Sequence, residues 1–243
     1  PTTVSMGLAV WSQRSGDALG QALASVAAGP ACLPFAFLLV LAALGGLWLK
    51  SAAGPRRTWR ASLLAAGALG AAGMGMELLL TFAYQALSGV LFQDLGLLVA
   101  SFMGGLVLAG WAVDRRLRRK PVETRQLSLA FLVLAALALG LPLLQMAAFA
   151  LGVGGGRVLL LLTVALAGCG TGALFPMLSQ HAARAGQELP RVAGGLDAAD
   201  HLGAALGSFA TGLVLLPLLG QAAASLCLAL LLAGAGLALA LGR

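Results

Sequence analysis

Residues 61–87 read ASLLAAGALGAAGMGMELLLTFAYQAL, and within them only Glu77 carries a charge. About 20 apolar residues are what a helix needs to cross the roughly 30 Å hydrocarbon core of a bilayer. A carboxylate at the centre of such a helix costs on the order of 2.5–3.5 kcal/mol on insertion scales. The stretch therefore predicts a membrane-spanning helix whose acid is offset by a partner, a proton, a water-filled cavity or a bound cation.

The rest of the chain follows the same pattern. Of its 243 residues 60% are hydrophobic and 9% charged, whereas a soluble domain has about 25% charged residues. The excess arrives in Leu-, Ala- and Gly-rich blocks without the ten-residue alternation of a membrane barrel. The expected fold is an all-α polytopic transmembrane helix bundle of about seven spans, at 31–49, 61–87, 91–113, 127–150, 157–179, 193–219 and 221–242. These make residues 31–243 a transmembrane helical domain. Residues 1–30 are too polar to span and are expected to be an extracytoplasmic segment. Val4, Leu8, Trp11, Leu19, Leu23 and Val26 recur there near helical spacing. The segment reads as an interfacial amphipathic helix or as a linker from an upstream domain.

The net charge of +7 is topological rather than a sign of nucleic acid binding. Lys50, Arg56, Arg57, Arg60, Arg115, Arg116, Arg118, Arg119, Lys120, Arg125, Arg184, Arg191 and Arg243 fall on one side of the predicted spans; Arg14 and Arg157 fall on the other. Basic loops stay cytoplasmic. The N-terminus is thus expected outside and the C-terminus in the cytoplasm. Gly152 to Arg157 (GVGGGR) reads as a tight outer turn, not a phosphate loop, because no strand precedes it.

Five residues, Ala66, Gly70, Gly73, Glu77 and Tyr84, share one face of the second span. Small residues let a neighbouring helix approach closely, so this face points into the bundle. Gln145, at a similar expected depth in the fourth span, is a candidate partner for Glu77, with Pro142 freeing a carbonyl nearby. Gln85, Gln93 and Asp94 would add a polar pocket opening outward. The alternative is a buried network that only locks helices together.

A second acid, Asp200, shares a face with Gly203, Gly207 and Thr211, about 10 Å inside the cytoplasmic edge. Asp197 and His201 flank it. Pro176 follows a run of small residues and predicts a kink near the cytoplasmic end of the fifth span. Cys32, Cys169 and Cys227 lie in separate apolar segments without metal-ligand spacing, and His181 and His201 do not suggest a haem site. No metal and no cofactor are expected. The sequence has no HExxH, GxSxG or paired-acid catalytic spacing, so no catalytic residue is assigned and the expectation is a chain that is not an enzyme.

Several of these segments, in order, resemble one family. Met76–Gln85 (MELLLTFAYQ), Asp94–Leu106 (DLGLLVASFMGGL), Gly172–Pro176 (GALFP), Arg191–Gly194 (RVAG), Asp200–Gly207 (DHLGAALG) and Leu216–Gly220 (LPLLG) are similar to the membrane module of bacterial spermidine synthase-like proteins. The resemblance covers about residues 60–220. Many such proteins fuse this module to a soluble aminopropyltransferase-like domain, and no strand–GxGxG–helix unit of that domain occurs here. The resemblance implies a bacterial inner-membrane location and carries over Glu77, Gln85, Pro176 and Asp200. Two function classes stand. One is a module transporting or binding a cation, proton or polyamine through Glu77, Tyr84, Gln85, Gln145, Asp200 and His201. The other is a noncatalytic membrane anchor of a larger enzyme or electron-transfer complex. The expected partners are the lipid bilayer and other subunits or a separate soluble domain.

Overall fold

The computed structural model describes residues 45–89, 94–184 and 186–241, and no strand occurs among them. The long helices are α1 (Gly54–Ser88), α2 (Leu95–Leu117), α3 (Thr124–Ala150), α4 (Gly152–Ala183), α5 (Leu189–Phe209) and α6 (Leu216–Leu241). A six-residue π-helical segment, Ala210–Leu215, joins the last two. Among the described residues, five helical rods are long and apolar enough to cross a membrane, the fifth being the 51 residues Pro190–Ala240. A straight helix of that length would extend roughly 75 Å, more than twice the hydrocarbon thickness. Gly220 interrupts it with φ 78 and ψ 176, a conformation open in practice to glycine alone. The interruption falls where the sequence predicts the gap between its last two spans.

Local chemistry sets the other boundaries. Pro55 occupies the first turn of α1 and carries the helix back to Gly54, ahead of the apolar block that starts at Ala61. Gly89 closes α1 in the left-handed conformation, its N–H donating to the Gln85 carbonyl at 2.8 Å. Glu123 and Gln126 form a reciprocal capping box at the start of α3. The expected outer turn at 152–157 is corrected: the reversal is confined to Leu151 and Gly152 (φ 70), and Val153 to Arg157 already belong to α4. Residues 1–30 and most of the span 31–49 lie outside the described residues. Residues 45–50 are helical and packed on α1: Leu49 is buried, and Arg60 donates to the Trp48 carbonyl at 2.7 Å.

The arrangement centres on α1. Two thirds (67%) of its most apolar stretch is buried, against 17% for α2, which lies at the periphery. Two helix pairs run parallel and meet through glycine. In one, Gly203 and Gly207 of α5 press on Gly67 and Ala71 of α1; in the other, Gly168 and Gly172 of α4 press on Phe102 and Leu106 of α2. A Cβ at any of these four glycines would overlap the backbone of the facing helix. α6 runs antiparallel to α1 and α3, with Leu228 beside Gly75 and Gly236 beside Phe131. At the end that carries the basic loops, Gln180 of α4 accepts from the Val122 N–H at 2.6 Å and donates to the Leu117 carbonyl at 3.3 Å. Arg184 donates to the Val122 carbonyl.

Candidate intramembrane acid site

The polar positions of α1 follow the face expected for them. Gly70 meets Asp200 of α5, and Gly73 meets Thr171 of α4, so the face looks into the junction of α4 and α5. Glu77 is one further turn along the same face, and its side chain is buried, with 8% of the residue exposed. No hydrogen bond or ion pair joins it to another described residue. Glu77 lies seven residues beyond Gly70, which puts about 10 Å of helix between it and the level of Asp200.

Asp200 is half-buried. Its Oδ1 is sealed against α1, where a Cβ on Gly70 would sit 2.9 Å from it, and it has no hydrogen-bond partner. An unpaired carboxylate oxygen in such a place is costly unless a proton or a cation meets it. Asp197 and His201 do not enter this contact. Both are exposed on the outer surface of α5 and pair with each other, His201 Nδ1 standing 2.9 Å from the Asp197 carbonyl and 3.5 Å from its carboxylate. Next to the same seam, Thr211 in the π segment is fully buried, with an unpartnered hydroxyl 3.0 Å from where a Cβ on Gly75 would lie. Single π turns are frequent at functional sites.

The expected Glu77–Gln145 pair does not form. Gln145 is buried, but its Nε2 has no partner. The reason is depth. Ala148, one turn from Gln145, meets Gly156 and thereby Leu87 near the end of α1. Glu77 is ten residues below Leu87, so the two side chains are separated by roughly 10 Å along the helix axes. Gln85 is exposed and its side chain makes no hydrogen bond to a described residue, and Gln93 lies outside the described residues.

Tyr84 and Asp94 do meet, through a residue that the sequence reading left in a turn. Tyr84 is fully buried; its hydroxyl donates to Asp94 Oδ2 at 3.0 Å and accepts from Arg157 Nε at 2.7 Å. Arg157 also forms an ion pair with the same Asp94 oxygen, and its guanidinium carbon sits 5.5 Å from the Tyr84 ring centroid. The three side chains tie α1, the start of α2 and the start of α4. One signal pointed to Arg157: it is a basic residue on the side that the loops otherwise keep almost free of them. Pro176 lies inside a continuous α4 and offers no N–H to the Gly172 carbonyl, the group on which Gly110 packs. No cluster of three or more potential metal ligands occurs among the described residues.

Over 170 residues, 68% of this chain, the sequence is 35% identical to a polyamine aminopropyltransferase of Corynebacterium efficiens. The match covers 32% of that relative, so the chain spans about a third of its length. No family model matches the chain, and no solved structure does. The match supports a spermidine synthase-like relationship and corrects one expectation. The expectation of a chain that is not an enzyme is overturned to this extent: the relative that aligns with 68% of it is named as an aminopropyltransferase.

Proposed function

We propose that this chain is the membrane-spanning part of an aminopropyltransferase-type enzyme in a bacterial cytoplasmic membrane. Its seam between α1 and α5 binds a cationic amine and passes it along the Glu77 face. The observation that carries this reading is the pair of intramembrane acids: neither Glu77 nor Asp200 takes a hydrogen bond from another described residue. An amine charged at neutral pH is a suitable counterpart for two such carboxylates set about 10 Å apart. The relative's name adds the class, since a polyamine carries several ammonium groups along one chain. Glu77 takes one ammonium and Asp200 takes the next, the α1/α5 contact at Gly70 opening to admit the methylenes between them. Tyr84, at the far end of the face, supplies an aromatic surface and a hydroxyl. The basic loops face the cytoplasm, where the rest of the enzyme and other subunits meet the module.

A second reading keeps the acids as a joint between helices and gives the module the task of seating the enzyme in the bilayer. The close packing of α1 on α5 at Gly67, Gly70 and Ala71 favours it. Uptake of labelled putrescine or spermidine into liposomes containing the purified chain separates the two. Saturable uptake that is lost in Glu77→Gln and in Asp200→Asn supports passage. Unchanged uptake in both variants, with a shifted melting temperature, leaves only the seating role.

A further inference from the structure

Arg157 has a tight set of partners on an unusually weak platform. Four of the five residues before it in α4 are glycines: Gly152, Gly154, Gly155 and Gly156. Each glycine costs about 1 kcal/mol of helix stability relative to alanine. Gly152 needs its positive φ, and Gly156 needs to lie against Ala148, but a Cβ on Gly154 would meet nothing within 4 Å. Packing therefore does not require all of this glycine content. It leaves the turn that carries Arg157 easy to open.

The opposite side of the contact is firm. The Tyr84 ring is buried in α1, and the Asp94 side chain is 18% exposed, while the Arg157 side chain is 38% exposed. One carboxylate oxygen, one phenolic hydroxyl and one aromatic face converge on the guanidinium. Such a set recognises an organic cation: the acid meets the charge, the hydroxyl takes an N–H, and the ring attracts the cation through its quadrupole. It offers too few oxygens for a hard metal ion, which takes six or more.

We propose that Asp94 and Tyr84 form a binding site for a primary alkylammonium group at the end of the bundle opposite the basic loops, and that Arg157 occupies this site as a tethered stand-in. An arriving ammonium displaces the guanidinium, and the glycine-rich turn gives way to release it. The site shares Tyr84 with the end of the Glu77 face, but it lies about 10 Å beyond Glu77 along α1 and needs no passage through the bundle.

Tyr84 is the single tyrosine of the sequence, so 3-fluorotyrosine incorporation gives one fluorine resonance that reports on this site alone. The purified chain in nanodiscs is titrated with putrescine, with sodium chloride at matched ionic strength as control. The expected result is a saturable shift with putrescine alone, lost in Asp94→Asn. In Arg157→Ala the dissociation constant falls roughly tenfold if the guanidinium holds the site nine-tenths of the time. No saturable shift in the wild type and in Arg157→Ala overturns the proposal, as does an equal shift with sodium chloride. Should Arg157→Ala fail to fold, the comparison of wild type with Asp94→Asn decides alone. Absence of liposome uptake with this shift intact removes the passage reading only; absence of the shift with uptake intact removes only the site proposed here.

Discussion

The two parallel helix pairs use the same packing and differ in what they seal. The α2/α4 seam is built from Phe102, Gly105, Leu106, Ala165, Gly168 and Gly172, none of which carries a polar side chain. The α1/α5 seam repeats the pattern with Gly67, Gly70, Ala71, Gly203 and Gly207, then adds Asp200 directly on Gly70. Along its middle the α2/α4 seam closes through small residues alone, its polar ties (Asp94 to Arg157, Gln180 to the Leu117 carbonyl) lying at the two ends. The acid is thus not needed for packing, and an unpaired Oδ1 opposes it. The contrast separates the residues that join helices from the residue that requires another explanation.

The largest test of that comparison is steric. Gly203→Leu and Gly172→Leu each drive a side chain into backbone that cannot move aside, and each should lower stability by about 3 kcal/mol or more. Thermal unfolding in detergent measures both, and a well-tolerated change in either seam would show that the two are not equivalent. Next in size is Asp200→Ala. With the orphan oxygen gone, the chain should gain about 1 kcal/mol in the same assay while losing polyamine uptake. A loss of about 3–5 kcal/mol would instead mark Asp200 as half of a paired structural contact. The smallest effects concern the margins. A Cβ at Gly73 would lie 3.2 Å from the Thr171 hydroxyl, and one at Gly110 lies 3.2 Å from the Gly172 carbonyl oxygen. Thr171 can turn and the carbonyl cannot, so Gly73→Ala should be neutral within about 0.5 kcal/mol and Gly110→Ala should cost about 1 kcal/mol. Equal values for the two would mean that the α1/α4 and α2/α4 contacts yield alike.

Much of the helical framework was legible because its signals are local. Apolar block length located the long helices of the described residues, Gly220 marked a break, and the spacing of Gly70, Gly73, Glu77 and Tyr84 defined an inward face before any neighbour was known. Pairing was not legible. The blocks are nearly alike in composition, so nothing in them says that α5 rather than α3 lies on Gly67 and Gly70. Depth suffered in the same way: counting residues along separate helices put Gln145 level with Glu77, but α3 sits higher against α4 and α1 than that count assumes. The start of α4 differs for another reason: the helix begins at Gly152, five residues before the predicted span that opens with Arg157. Its run of glycines carries the local signature of a turn, and only the tertiary contacts with Tyr84 and Asp94 draw it into helix.

The clamp made by Gln180 and Arg184 has a mechanical consequence. The loop it grips, from Leu117 to Val122, contains Arg118, Arg119 and Lys120 and is the natural handle for anything acidic on that side of the bilayer. A pull on that handle does not end in the loop. It is delivered through two side chains to α4 beyond Pro176, where the helix already lacks a rung, and α4 is the rod whose other end bears Arg157. The loop and the guanidinium are held at opposite ends of one helix, α4.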